Sequence, residues 1–353
     1  MNYKIKCLRE KMKLLEIDGM IISNPINIEY ITGVYAEGTL IINDKDNIFI
    51  TDARYIEDVN STITISDEIN VRDQANISEN EYISFFANCP RVGIEENYIS
   101  YSKYQNLVRI YRLKEAVETN NLIEKMRTIK DDNEIAKIRR ACEITDNCFT
   151  HLLEYIKVGM TERQIAFEIE KYFIENGANG LAFDTIVASG ENSSKPHAVP
   201  TNRKIQSGDN ITIDFGAKYK GYCSDMTRTI FVGSVSDEVR NLYNFILEGQ
   251  LRATNKIKDG VDGKSVARGV QIEYNARNFE LIHALGHGVG LEVHELPYLS
   301  YRSSYILKEN MVVTNEPGIY IPEKIGIRIE DTILVNKLES EVLTKSSKEL
   351  IVI

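Results

Sequence analysis

The chain has 353 residues, 43% hydrophobic and 27% charged, and its 42 Lys+Arg against 52 Asp+Glu give a formal net charge of -10. That length suits two domains of roughly 150 residues each, and the acidic balance argues against nucleic acid or an anionic membrane as the main partner. The five cysteines are scattered and form no C-x-x-C, which excludes a disulfide framework.

The opening stretch MNYKIKCLREKMKLLEIDG puts Ile5, Leu8, Met12 and Leu15 on one helical face over 4–16, with Gly19 as the stop. It lacks the apolar centre and cleavage site of a signal peptide, and no run approaches the ~18 apolar residues of a membrane span, so a cytoplasmic protein is expected. Met20–Ile22 reads as a buried strand ended by Asn24-Pro25. Leu40–Ile42 and Ile48–Ile50 flank Asp44-Lys45-Asp46-Asn47 as a hairpin. Val92–Ile94 and the stretch near Leu113 add strands. These elements predict a small α/β domain over 1–120.

A different texture begins at Asn121, and 121–353 is expected to be the second domain. Asp131 or Asp132 caps a helix whose apolar positions are Ile135, Ile138, Cys142, Thr145, Phe149, Leu152 and Ile156. Thr161-Glu162-Arg163-Gln164 is a capping box that opens a second helix, ending at Gly177. Strands are expected at 185–189, 210–216 and 222–232, helices over 236–258 and about 264–279, and more strands over 281–335. The order helix, helix, strands occurs twice. It predicts two similar halves with helices on one side of an antiparallel sheet, an α+β architecture.

Four segments carry residues with chemistry. In ITIDFGAKYKGYCSDMTRT a turn centred between Tyr219 and Lys220 sets Asp214 directly opposite Asp225. Opposed carboxylates ~4.5–5.5 Å apart need a proton or a cation between them, unless both simply face solvent. In IHALGHGVGLEVHE the histidines His283, His287 and His294 are interleaved with Gly286, Gly288 and Gly290, which disfavours a helix and permits close backbone approach. In VVTNEPGIYIPEKIGIRIED, Glu316 is extended ahead of Pro317. Glu330 shares a strand face with Arg328, which offers either an ion pair or a site. In SGENSSKPHAVPTNRKI, His197 lies in a turn-rich loop, where an ordinary loop histidine is the plain alternative. His151 reads as a structural or surface residue of the long helix.

Together these motifs resemble the pita-bread metallopeptidases, in particular the Xaa-Pro aminopeptidase and prolidase branch. IDGMIISNPINIEYITG and TDARY look like that branch's creatinase-type N-terminal domain. The resemblance implies an α+β pita-bread catalytic domain behind a smaller α/β creatinase-type domain. It implies two divalent metal ions, manganese first among manganese, cobalt and zinc, held by Asp214, Asp225, His287, Glu316 and Glu330. It also implies catalytic roles for His197, His283, His294 and Glu316, with Arg328 holding a ligand carboxylate. Asn315 before Glu316 and Lys195 before His197 depart from the family pattern.

The implied activity is an Xaa-Pro aminopeptidase acting on a proline-containing peptide, with an Xaa-Pro dipeptidase (prolidase) as the alternative. A methionine aminopeptidase, a metal-free creatinase-type hydrolase or a non-catalytic module of the same fold stand behind these. A homodimer is the family expectation, with no nucleic acid or membrane partner.

Overall fold

The computed structural model describes residues 3–63, 68–302 and 304–353, and the chain divides into two compact units, Met1–Arg127 and Thr128–Ile353. The first unit runs α1 (Tyr3–Leu14), β1 (Gly19–Ile22), α2 (Pro25–Thr32), β2 (Thr39–Asn43), β3 (Asn47–Thr51), α3 (Ile56–Thr62), β4 (Asn70–Asp73), α4 (Glu79–Ser84), β5 (Arg91–Ile94), α5 (Tyr101–Tyr111), β6 (Glu115–Glu118) and α6 (Leu122–Arg127). Its strands form one mixed sheet in the order β4-β3-β2-β1-β5-β6. β1 is antiparallel to β2 and parallel to β5. All of β1 is buried, which is why it reads as an unbroken apolar run rather than an alternating one.

Glu95, just past β5, closes the start of α2. Its carboxylate accepts the N–H groups of Ser23 at 2.5 Å and Asn24 at 2.8 Å, and Nδ2 of Asn27 at 2.7 Å. Asn27 Nδ2 also donates to Glu124 on α6 at 2.7 Å. Burial pushes the Glu95 carboxyl up to about 7, against the pull of these hydrogen bonds.

The second unit runs α7 (Asp132–Tyr155), α8 (Glu162–Glu175), β7 (Gly180–Leu181), β8 (Ile186–Ser189), β9 (Asn210–Phe215), β10 (Ala217–Tyr219), β11 (Tyr222–Cys223), β12 (Met226–Phe231), α9 (Asp237–Lys256) and α10 (Gly263–Asn275). It continues through β13 (Gly286–Gly288), β14 (Glu295–Leu299), β15 (Val312–Asn315), β16 (Gly318–Ile321), β17 (Ile325–Arg328), β18 (Asp331–Leu334) and β19 (Glu341–Val342). Both anticipated capping boxes form, Asp131 with Glu134 on α7 and Thr161 with Gln164 on α8.

Two helix pairs each cover their own strands. Phe149, Leu152, Ile165 and Phe173 of α7 and α8 pack on Ile211, Ile213 and Phe215 of β9. Ile246, Val266 and Val270 of α9 and α10 pack with Val313, Ile319, Ile327 and Ile333. The sheet orders are β12-β9-β8, β14-β13-β15-β18-β19 and β11-β10-β7, with β16-β17 as a separate hairpin. This is the expected α+β arrangement of two helix-and-sheet halves.

The hairpin after β9 departs from its expected register. Lys220 and Gly221 form the turn, both at positive φ, 47° and 84°. Asp214 therefore pairs with Thr227, and Tyr219 with Tyr222. A two-residue turn of this kind needs positive φ at both central positions. Lys220-Gly221 meets that with a glycine, whereas a turn at Tyr219-Lys220 would force an aromatic residue into it. Asp225 is thus diagonal to Asp214 rather than opposite it. A shift of two residues keeps the side chain on the same face.

Candidate active site

A cleft of about 740 Å³ in the second unit is lined by all nine residues singled out above: His197, Asp214, Asp225, His283, His287, His294, Glu316, Arg328 and Glu330. Asp214 lies on β9 and Asp225 just before β12. His287 is the middle residue of β13, Glu316 follows β15, and Glu330 follows β17. His151 is elsewhere. It bonds Glu168 at 2.9 Å and stacks on Tyr155 and Tyr172, as its structural reading implies.

The glycines around His287 are required by its neighbours. A Cβ on Gly286 would stand 2.0 Å from the Thr314 carbonyl oxygen, and one on Gly288 would stand 2.1 Å from that of Leu296. β13 is therefore pressed between β14 and β15 with the imidazole held in place. Its Nδ1–H donates to the Gly288 carbonyl at 3.1 Å. That leaves Nε2 facing Asp225 at 3.4 Å and Glu316 at 3.3 Å.

Arg328, 3% exposed, fastens the other side. It donates through Nη2 to Asp214 Oδ2 at 2.5 Å, through Nη1 to the Tyr320 hydroxyl at 2.5 Å and to the Pro196 carbonyl at 3.3 Å, and through Nε to Thr227 Oγ1 at 3.0 Å. Thr227 in turn donates to Glu330 Oε2 at 2.6 Å. The Arg328–Glu330 ion pair considered from strand alternation is not formed, because the guanidinium reaches across to β9. The Tyr320 hydroxyl also lies 3.1 Å from His283 Nε2, whose Nδ1–H donates to the Ala284 carbonyl at 2.7 Å. The rings of His287 and His294 meet edge to face at 4.3 Å.

His197 is carried by a loop tied down from below. Glu162 at the start of α8 accepts the N–H groups of Ser189 at 2.7 Å and Thr201 at 2.9 Å, both their hydroxyls, and the Asn192 amide. Neither Glu162, Tyr320 nor Thr227 was singled out from the sequence. Tyr320 ends the EPGIY motif on the face of Gly318, and Thr227 shares strand parity with Asp225, so alternation alone would have flagged both.

Four acids in one cleft repel each other. Burial raises Asp225 and Glu330 well above the usual carboxylate range, and their carboxylate neighbours add to the shift. Burial acts on Glu316 too, but the hydrogen bond and charge of His287 outweigh it and bring the group down to about 2. Burial lowers His283 and His294, so both are neutral imidazoles at pH 7. Asp214 Oδ1 and Asp225 Oδ1 are buried without a hydrogen-bond partner. One atom each from Asp225, His287 and Glu330 lie within 4.8 Å of one another. Converging oxygens, an imidazole nitrogen aimed at two of the carboxylates and orphaned carboxylate atoms fit a divalent cation.

The profile of metallopeptidase family M24 matches residues 136–337, and that of the creatinase/prolidase N-terminal domain matches residues 4–129. The chain belongs to metallopeptidase family M24. It has that family's pita-bread catalytic fold with a creatinase-type N-terminal domain, and it is a metal-dependent peptidase. Among M24 relatives, it is 38% identical to an Xaa-Pro dipeptidase of Pyrococcus horikoshii, over 99% of both chains. It superposes on an Xaa-Pro dipeptidase from Bacillus anthracis with a TM-score of 0.94 at 38% identity, covering 99% of each chain. On an X-Pro aminopeptidase from Thermotoga maritima the TM-score is 0.88 at 33% identity, covering 98% of this chain and 100% of that one. No described helix is long and apolar enough to cross a membrane.

Proposed function

We propose that this M24 peptidase is an Xaa-Pro dipeptidase, hydrolysing the bond between a first residue and a following proline. The observation that carries the reading is the full set of two Asp, one His and two Glu around one cleft, in a chain 38% identical end to end to a protein named Xaa-Pro dipeptidase. The sequence reading placed aminopeptidase first. The more similar relatives favour the dipeptidase instead, and the Thermotoga relative keeps the aminopeptidase as the second reading.

Asp214, Asp225, His287, Glu316 and Glu330 would hold two divalent ions, with manganese the first candidate over cobalt and zinc. Such ions supply Lewis-acid activation of a water and of the scissile carbonyl. Glu316 takes the proton from the attacking water. His294 donates a hydrogen bond to the oxygen that gains charge in the tetrahedral intermediate. His197 and His283 position the residue after the scissile bond, and the Tyr320–His283 hydrogen bond fixes the His283 ring. Arg328 fixes Asp214. A homodimer and a cytoplasmic location belong to the same reading, checked by light scattering and fractionation.

The test is a panel of Leu-Pro, Leu-Pro-Ala and Met-Ala-Ala with each metal added. Hydrolysis of Leu-Pro above the tripeptides supports the dipeptidase. Cleavage confined to Leu-Pro-Ala installs the aminopeptidase, and cleavage of Met-Ala-Ala alone rejects both. His294→Ala should keep its metal and lose about 10²–10³ in kcat. Loss of metal would instead make His294 a ligand.

A further inference from the structure

The cleft has two unlike flanks. One is polar and holds His283, Arg328 and the Pro196–His197 turn. The other is a wall built on Asp214's own strand. Ile186 of β8 is paired directly with Asp214. Phe183 lies over Gly216, two residues further along the same strand face, where a Cβ would come within 3.1 Å of its ring. α8 closes this wall. It is anchored by Phe173 stacking on Phe215 at 6.1 Å, and it presents Ala166, Phe167 and Glu170 to the cleft. These three share one helix face by their spacings of three and four.

Phe167 is 68% exposed at the mouth, an apolar surface that a free helix would not favour there. Two acids rim the wall, Glu170 on α8 and Asp184 just before β8. Both are exposed, and neither is ion-paired among the described residues. Arg328 is the one Arg or Lys lining the cleft among the described residues, and Asp214 and Tyr320 already engage it. The cleft is built for a ligand independently of this rim, since Asp225, 3% exposed, lines it and keeps a buried Oδ1 without a hydrogen-bond partner.

We propose that this flank receives the side chain of the substrate's first residue and selects a long side chain with a basic end, lysine or arginine. The aliphatic stem lies on Phe167, Phe183 and Ile186, while the cationic tip reaches Glu170 and Asp184. An acidic first residue meets the same two charges with the wrong sign. The flank beside Asp214 faces the amino-terminal side because the polar flank is occupied by the histidines that position the residue after the scissile bond. The inference rests on the Xaa-Pro peptidase reading for that placement.

The test compares kcat/KM for Lys-Pro, Leu-Pro and Glu-Pro with the metal-loaded protein, at low salt and at 0.5 M salt, the latter being about a 4 Å Debye length. Exposed charges act weakly but add at a concave mouth, so Lys-Pro should exceed Glu-Pro by about 10-fold at low salt and by less at high salt. Glu170→Gln with Asp184→Asn should bring the ratio close to one. Glu175→Gln, on α8 but outside the cleft, should leave it alone. Equal rates for Lys-Pro and Glu-Pro, or a ratio that survives the double substitution, would overturn the proposal. So would a double variant that changes the preference between Leu-Pro-Lys and Leu-Pro-Glu instead, since the rim would then serve the far side of the bond. Lys-Ala and Glu-Ala are run beside them. Loss of proline selectivity rejects the Xaa-Pro reading while the side-chain preference is still read. Calorimetric binding of the same dipeptides reads it without turnover.

Discussion

Arg328 Nη2 and Asp214 Oδ2 lie 2.5 Å apart, and the same guanidinium donates to Tyr320 on the histidine side of the cleft. One planar fork thus spans two functions, and a lysine ammonium cannot reach both. Arg328→Lys should lower kcat/KM and weaken metal binding by about 10–100-fold each. Steady-state kinetics and metal titration check this. Unaltered metal affinity would mean that Arg328 does not hold Asp214 for the metal.

Asp225→Asn should have opposite effects with and without metal. In the metal-free protein burial and the neighbouring carboxylates hold the Asp225 carboxyl well above the usual range, which costs stability at neutral pH; Asn has no proton to take up, so thermal stability should hold or rise. Metal at about 100 times its Kd stabilises a protein that binds it by about 2.7 kcal/mol, and the variant should lose most of that gain. Thermal unfolding with chelator and with added manganese measures both. A full metal-induced shift in the variant would remove Asp225 from the ligand set.

Gly288→Ala should damage the site from the backbone side. Its methyl group would meet the Leu296 carbonyl, and relief requires β13 to move from β14 at the residue next to His287. Overpacking of this kind costs about 1–3 kcal/mol. The expected result is a lower denaturation midpoint together with loss of bound metal. A protein of normal metal content would show that β13 can shift without carrying His287 with it.

The first unit should weaken as pH rises. The folded Glu95 carboxyl sits at about 7 against 4.5 for the free group, so the native state binds the proton more tightly than the unfolded state. The contribution of Glu95 to stability is therefore fully present below about 4.5 and falls by about 3 kcal/mol as pH climbs to about 7. Hydrogen exchange at the β1 and α2 amides, corrected for intrinsic rates, reads this slope. Glu95→Gln should flatten it. A slope that persists in the variant would belong to another group.

The helices were the most legible part of the chain, because Asp131-x-x-Glu134 and Thr161-x-x-Gln164 encode their own starts. The histidine segment was legible because glycines at 286, 288 and 290 rule out a helix and mark close backbone contacts. The hairpin turn lies one position beyond the expected centre, and that moves Asp214's partner by two residues, from Asp225 to Thr227. The partner of Arg328 could not be read locally at all. It lies 114 residues away in the chain, and only the packing of β17 near β9 decides that Asp214, not Glu330, receives it.

The buried Lys130–Glu295 pair sets where the catalytic half of the gene can be cut. Lys130 Nζ meets Glu295 Oε1 at 2.7 Å with both side chains almost fully enclosed, 1% and 4% exposed, and Lys130 N–H donates to the Asn310 carbonyl at 2.9 Å. Glu295 is the residue after His294. The family profile begins at 136, so a truncation at that border deletes the cation that meets this enclosed carboxylate beside a proposed catalytic histidine. The smallest autonomous catalytic fragment therefore has to begin upstream of Lys130.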